Sequence, residues 1–214
     1  MNAPVPLPIR RATLADAPRV AQLLAAAFAR DPVFDWLTRT GRPRQRALQR
    51  FFAWMLESRA LPYNETWITA DGFAAAAWIP PYGIPGRGLV SDLRILPRIL
   101  QLTGLTRLPR GAAMAAAMEH AHPEEPFFYL AFLGVAPRVQ GTGLGSALLR
   151  QTLARADAAG VSAYLENSNP RNLKLYEAAG FSVVQEVKAR KDAPPVFAMR
   201  RPAKPVYGSS TMSQ

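Results

Sequence analysis

An apolar run that breaks directly into a glycine-spaced loop limits what this chain can fold into more than any other feature. Phe127 to Val135 reads FFYLAFLGV, a nearly unbroken hydrophobic stretch that suits a strand buried on both faces. Gly134, near its end, marks a bulge or a close backbone approach. After Ala136-Pro137 come Gln140, Gly141, Thr142, Gly143, Leu144, Gly145 and Ser146, which run straight into Ala147-Leu148-Leu149 and Leu153 at helical spacing. Three glycines at alternate positions remove the Cβ atoms that would hold a ligand off the backbone, and the amides of a helix N-terminus point at whatever lies there. Such a loop is an anion cradle, most naturally for phosphate. From Phe127 to Glu186 a strand, this loop, a helix, a second strand and a second helix follow without slack.

Spacing decides which phosphate ligand suits the loop. A P-loop needs Gly-Lys-Ser/Thr, and no Lys occurs before Lys174. The dinucleotide pattern G-x-G-x-x-G fails as well, because the third glycine comes one residue early and Ser146 stands in its place. Glu166 does lie about twenty residues on, where that fold wants an acid. The loop nevertheless comes late in the chain rather than in an opening βαβ unit.

The pattern Val135-x-Pro137-x-x-Gln140-Gly141-x-Gly143-x-Gly145 resembles the acetyl-coenzyme A loop of the GNAT superfamily of N-acetyltransferases. Asn169-Pro170-x-Asn172-x-x-x-Tyr176-x-x-x-Gly180-Phe181 is similar to that superfamily's other hallmark, in the right order. Within it the chain looks most like the puromycin N-acetyltransferase group. The shared features are Leu23-Leu24-Ala25-Ala26-Ala27-Phe28-Ala29, Glu124-Glu125-Pro126, Leu165-Glu166-x-Ser168-x-Pro170-Arg171-Asn172-Leu173 and Tyr176-Glu177. The resemblance implies an α/β (α+β) fold: a mixed, mostly antiparallel sheet flanked by helices, with acetyl-CoA wedged at splayed central strands.

At 214 residues and 49% hydrophobic, the chain can bury one substantial core. Residues 1–201 read as a single domain and 202–214 as a flexible tail. No apolar run approaches the ~20 residues of a membrane span, and no signal-peptide pattern opens the chain. Without cysteine there is no disulfide or thiolate metal site, so a cytoplasmic protein that needs no metal is the expectation. A net charge of +11 invites a nucleic-acid reading. Yet only four of the 26 basic residues are Lys, and the arginines are scattered among Ala and Pro. Neither nucleic acid nor membrane is therefore expected as a partner, and the chain is expected to be a monomer or homodimer.

Ahead of the central unit, Pro4 to Pro8 lead into a short strand around Ile9 to Ala12. Thr13-Leu14-Ala15-Asp16 has capping-box spacing and opens a helix with Val20, Leu23, Leu24, Ala27 and Phe28 inward. Asp31-Pro32 should end it. A second helix is expected from about Arg44 to Ala60. Glu65 to Ala70 and Phe73 to Ile79 flank Asp71-Gly72, a hairpin signal. Pro80 to Gly88 reads as a loop. Leu89 to Ala121 reads as a helical insert carrying Leu93, Leu96, Leu100 and Leu105, broken or kinked at Pro97, with Gly111 opening its second helix.

Acetyl transfer from a thioester to an amine needs a neutral amine, a polarised carbonyl and a proton for the departing thiolate. Tyr176 suits the last task, and Asn172, four residues earlier, shares its helix face. A thiol near pKa 8.5 facing a phenol near 10 leaves that transfer uphill by only ~1.5 units. Backbone amides at Leu133, Gly134 and Val135 suit carbonyl polarisation. Glu166, ending the second strand of the unit, either receives the amine's proton or pairs with an Arg. His120 and His122, at the end of the insert, suit structural or exposed roles. Phe34 and Trp36 lie on a short aromatic segment (Val33 to Leu37) between the two early helices, and Phe51 and Trp54 lie on the second of them. These four are the candidates for the acceptor side, which the two helices flank in the GNAT fold, although such residues also suit plain core packing. The expected function is transfer of the acetyl group of acetyl-CoA directly to a primary amine of a small molecule. An aminonucleoside-like or aromatic amine of low charge is favoured over polycations, which a +11 chain repels. A protein N-terminus or lysine is the alternative acceptor. A non-catalytic module that senses acyl-CoA or grips nucleic acid is the alternative of another class.

Overall fold

The computed structural model describes residues 8–41, 43–84 and 95–204. One seven-stranded sheet runs in the order β1-β2-β3-β4-β5-β7-β6. Its strands are β1 (Ile9–Arg11), β2 (Thr66–Thr69), β3 (Ala74–Ile79), β4 (Phe127–Val135), β5 (Ser162–Asn167), β6 (Ser182–Val187) and β7 (Val196–Arg201). Only β4 and β5 pair in parallel, joined by the crossover helix α6 (Leu144–Ala158), as a parallel neighbour requires. The mixed, mostly antiparallel sheet expected from the sequence is the one observed.

Helices cover both faces. On one, α1 (Ala17–Ala27), α2 (Pro32–Leu37) and α3 (Pro43–Met55) bury Leu24, Leu48 and Phe52 against Ile68, Ala75 and Ala77. On the other, α6 sets Leu148, Leu149 and Leu153 against Ala74, Ala76, Trp78 and Leu165. All six residues of β3, AAAAWI, are buried. Alanine there lets both helical layers approach closely, and cover on both faces replaces the usual in-out alternation.

Several expected boundaries shift for local reasons. The Thr13–Asp16 capping box is present, with the Thr13 amide donating to Asp16 Oδ2 at 2.8 Å, but it caps a 3-10 turn ahead of α1. Asp31 does more than stop a helix: its Oδ1 accepts the amides of Val33 and Phe34 at 3.0 and 3.1 Å, so it caps α2. The helix expected to Ala60 changes to a π-turn over Leu56–Ala60. At Asp71-Gly72 the hairpin is confirmed, with Gly72 at φ +69°.

In the insert, Pro97 does not kink a helix. It lies in the first turn of α4 (Leu96–Thr103), where a missing N–H costs nothing. The next helix, α5 (Leu108–Ala121), starts before Gly111. Gly111 lies inside it because a Cβ there would stand 2.7 Å from Ile99 Cγ2. Leu93, residues 85–88 of the 80–88 loop and the tail from 205 onward lie outside the described residues.

Candidate active site

The parallel pairing of β4 with β5 stops early. Phe127, Phe128 and Tyr129 face Ser162, Ala163 and Tyr164, and no later residue of β4 pairs with β5. Beyond that point β4 stays with β3 through Val135, while Leu165 to Asn167 pair with β7. A register shift at Ala77/Trp78, where Ala77 faces Phe132 and Trp78 faces Leu130, leaves Ala131 as the extra residue of β4. Bulges turn a strand's direction. Coming two residues after the last β4–β5 pair, this one accompanies the opening of a V-shaped gap in mid-sheet.

The sequence allows Gly134 to mark either a bulge or a close approach, and the structure places the bulge at Ala131. Gly134 is a close approach instead: a Cβ there would lie 2.6 Å from Leu24 Cδ2 of α1. The Ala136 amide donates to Phe73 O at 2.7 Å, toward β3. Alternation along the strand then turns the amides of Leu133 and Val135 to the opposite edge, into the gap. Gln140 Nε2 donates to Val135 O at 3.1 Å and ties the loop to that same edge.

Gly141 and Gly143 take φ of +81° and +87°, and a Cβ at either would meet nothing within 4 Å. Glycine is therefore required there by backbone conformation, and the loop's outer surface is open. Gly143 is the N-cap of α6, so the amides of Leu144, Gly145 and Ser146 lack partners within the helix. Gly145 sits 3.3 Å, by its would-be Cβ, from Val135 Cγ2, holding the helix start against the strand end. Thr142 Oγ1 donates to Val139 O at 2.8 Å and braces the turn. An open positive-φ loop leading into a fifteen-residue helix beside an unpaired strand edge fits a pyrophosphate followed by an extended amide-bearing arm.

At the other side of the gap, Asn169 caps a 3-10 turn (Pro170–Asn172), with its side chain accepting the Arg171 amide at 3.2 Å, and α7 (Leu173–Ala178) follows. Asn172 is exposed and its side chain makes no capping bond. Tyr176, 8% exposed, packs on Phe181 with ring centroids 6.1 Å apart. Burial first, and then the charge of Asp31, pushes the Tyr176 phenol well above its ordinary range. The group stays protonated at neutral pH, and the ~1.5-unit mismatch expected from free groups is an underestimate. Asp31 is itself 5% exposed, its carboxyl is raised by burial, and Ser168 Oγ donates to its Oδ2. That bond joins the α1–α2 elbow to the end of β5.

Glu166 does not pair with an Arg. Its side chain is 1% exposed. Tyr129 OH donates to Oε2 at 2.5 Å, and His122 Nε2 lies 2.9 Å from Oε1. The second contact is an ion-pair approach, and Oε1 is a buried carboxylate oxygen that accepts no hydrogen bond among the described residues. Burial, reinforced by Glu166, holds the Tyr129 and Tyr164 phenols far above their ordinary range, so both are donors and not bases. His120 is exposed. His122 is packed within 5.5 Å, centroid to centroid, of the rings of Phe127, Tyr129 and Tyr164. The sequence reading set His122 aside. Its separation of 44 positions from Glu166 in the chain carries no signal, since the β4–β5 pairing is what brings the two together.

The four aromatic candidates for the acceptor side do not form one wall. Phe34 and Phe51 belong to a core cluster with Phe52, their own centroids 5.9 Å apart. Trp36 instead donates from Nε1 to Asp192 Oδ2 at 3.2 Å and stacks under Arg110, and Trp54 stacks under Arg59. A cleft of about 730 Å³ opens beside His122 instead, lined by Pro81, Tyr82 and Phe127 and by the carboxylates Glu119, Glu124 and Glu125.

Residues 106–181 match the model of the acetyltransferase (GNAT) family. The fold is similar to a Corynebacterium glutamicum structure described as histone acetyltransferase HPA2 and related acetyltransferase. The two are 28% identical, over 92% of this chain and 97% of that one, with a TM-score of 0.68. It is also similar to Drosophila melanogaster polyamine N-acetyltransferase (13% identical, 91% and 99% covered, TM-score 0.62). Arylalkylamine N-acetyltransferase 2 of Aedes aegypti is similar too (14%, 92% and 99%, TM-score 0.62). At those identities the two insect enzymes show the fold alone. The chain therefore carries a segment that matches the GNAT acetyltransferase model, within a mixed α/β fold like that of its structural neighbours. It is an acyl-CoA N-acyltransferase, and members of the family take acetyl-CoA as co-substrate. Among the described residues no helix is long and apolar enough to cross a membrane, and no group of three His, Cys, Asp or Glu could hold a metal ion.

If the 140–146 loop binds the cofactor's phosphates, acetyl-CoA raises the melting temperature of the wild type by mass action. In Gly143→Val that shift is lost, because a β-branched residue at φ +87° forces the turn into another shape. A folded variant that responds fully to acetyl-CoA in thermal melts places the phosphates elsewhere.

Proposed function

We propose that the protein moves the acetyl group of acetyl-CoA directly to a primary amine of a small molecule. The observation that carries this reading is Glu166 Oε1, a buried carboxylate oxygen that accepts no hydrogen bond among the described residues, on the strand where the sheet parts. An ammonium or amine nitrogen supplies the missing donor, and the carboxylate takes its proton. In this assignment the amides of Leu133 and Val135 polarise the thioester carbonyl. Tyr176 gives its proton to the leaving sulfur, and the open side chain of Asn172 steadies the pantetheine arm. The loop from Gln140 to Ser146, with Gly141, Thr142, Gly143, Leu144 and Gly145 between, holds the pyrophosphate.

The cleft volume of about 730 Å³ falls in the range of small-molecule sites, which favours a compact acceptor over a protein tail. Pro81, Tyr82 and Phe127 offer an apolar and aromatic surface, and Glu119 and Glu124 lie close to it. That combination suits an amine with a ring body, aminonucleoside-like or arylalkyl. The same carboxylates favour a second reading, a polyamine acceptor, because they offset locally the repulsion that a +11 chain exerts at long range. Initial rates with an aromatic α-amino compound, spermidine and a lysine-rich peptide at moderate salt separate the readings. A kcat/KM at least tenfold higher for the aromatic amine is expected. A preference for spermidine establishes the second reading, and a preference for the peptide overturns both.

A further inference from the structure

Resting on the reading that Glu166 takes the amine's proton, we infer that His122 relays that proton from the buried carboxylate to the cleft. Every acetyl transfer leaves one proton on the base, and the base must lose it before the next cycle. Glu166 cannot lose it to solvent directly, since its side chain is 1% exposed. Among the described residues three groups face it. Tyr129 donates to Oε2, and Tyr164, whose hydroxyl donates to Ala121 O at 3.1 Å, already holds its own proton. Only His122 presents a nitrogen able to accept, 2.9 Å from Oε1, and its side chain is 21% exposed. The same ring lines the cleft together with Glu119, Glu124 and Glu125, which are contributed by α5 and the segment leading to β4, and with Tyr82 of the turn after β3.

The proton balance closes through bulk solvent: for a neutral amine His122 releases one proton there, and Tyr176, having given its own to the thiolate, takes one back. The amine N–H bond breaks as Glu166 Oε1 gains the proton. A small rotation of the imidazole brings Nε2 into line to accept it, and Nδ1 releases its own proton toward the cleft and bulk solvent. Glu166 is left ionised and His122 neutral with its proton on Nε2, and proton exchange with solvent restores the Nδ1–H tautomer before the next cycle. His122 touches neither the acetyl group nor, in this account, the attacking nitrogen; it acts through Glu166. Its place at the C-cap of α5 makes the helical insert the element that sets the relay.

The test compares single-turnover and steady-state acetylation by His122→Ala, His122→Gln and Glu166→Gln at low buffer concentration, with melting temperatures as a control. His122→Ala is expected to turn over roughly 10²-fold more slowly, the low end of what a placed proton-transfer group contributes. Imidazole, fitting the vacated space, restores much of the rate in proportion to its free-base concentration. His122→Gln, which fills the space, loses similar activity and gains it back only from small bases in bulk buffer, to which the wild type is indifferent. This second variant decides the matter if His122→Ala does not fold. Wild-type turnover in either folded His122 variant, or a loss that no external base restores, overturns the relay. Glu166→Gln separates the layers: a dead Glu166→Gln beside wild-type His122 variants refutes the relay alone, whereas wild-type turnover in Glu166→Gln refutes the base on which it rests.

Discussion

Glu166→Gln should lower kcat/KM by roughly 10²–10⁴, the usual worth of a positioned general base, and the deficit should depend on the acceptor. The substitution keeps shape and a hydrogen-bond partner for Tyr129, which donates to Glu166 Oε2 at 2.5 Å, so packing around the gap survives. What is lost is the proton acceptor. An α-amino group with a pKa near 8 is already partly neutral at neutral pH, whereas a lysine-type amine near 10.4 must shed its proton at a cost of about 3 units. The variant therefore suffers more with the more basic amine, and its deficit shrinks as rising pH delivers the amine already neutral. pH–rate profiles with one amine of each kind check this. A deficit of equal size at every pH and for both amines would mean that Glu166 holds the site together and does not take the proton.

Replacing Tyr176 by Phe should slow the chemical step by a similar 10²–10⁴ while leaving acetyl-CoA affinity nearly unchanged. The ring and its contact with Phe181, at 6.1 Å between centroids, remain. Only the hydroxyl goes, and among the described residues it makes no hydrogen bond that the fold depends on. Burial and Asp31 both favour the protonated phenol, so the residue is always loaded as a donor. Its acidity in the resting site is poor, which means that donation must accompany the growth of negative charge on sulfur and cannot precede it. Single-turnover thiol release, which product release cannot mask, is the measurement. A near-wild-type rate returns Tyr176 to a packing role.

The part of the site that local pattern encodes was legible in the sequence. Phe127–Val135 is a strand, and the glycine-spaced loop after it runs straight into a helix. Each follows from hydrophobic spacing or turn chemistry within a few residues. What sequence did not reveal is set by pairing across the sheet. The bulge at Ala131 has no residue signature, because the glycine that drew attention, Gly134, serves contact with Leu24. Ser168 and Asp31 meet across 137 residues. Glu166 finds Tyr129 and His122 only because β5 runs parallel beside β4. Pro97 looked like a helix breaker because its effect depends on whether a turn precedes it, which residue identity does not tell. Trp36 and Trp54 were grouped by their place on or between the early helices, yet helix rotation sends one to Asp192 and the other to Arg59.

The central claim, direct transfer from acetyl-CoA to an amine in the gap between β4 and β5, is tested most directly by thiol release with and without an acceptor. With acetyl-CoA alone the account predicts no thiol burst, since the chain contains no cysteine and the mechanism assigns no nucleophile of its own. On addition of a primary amine, one thiol should appear for each acetylated amine. A burst stoichiometric with enzyme before any amine is added would reveal an acetylated enzyme and contradict direct transfer, and the absence of thiol release across a broad amine panel would contradict catalysis altogether.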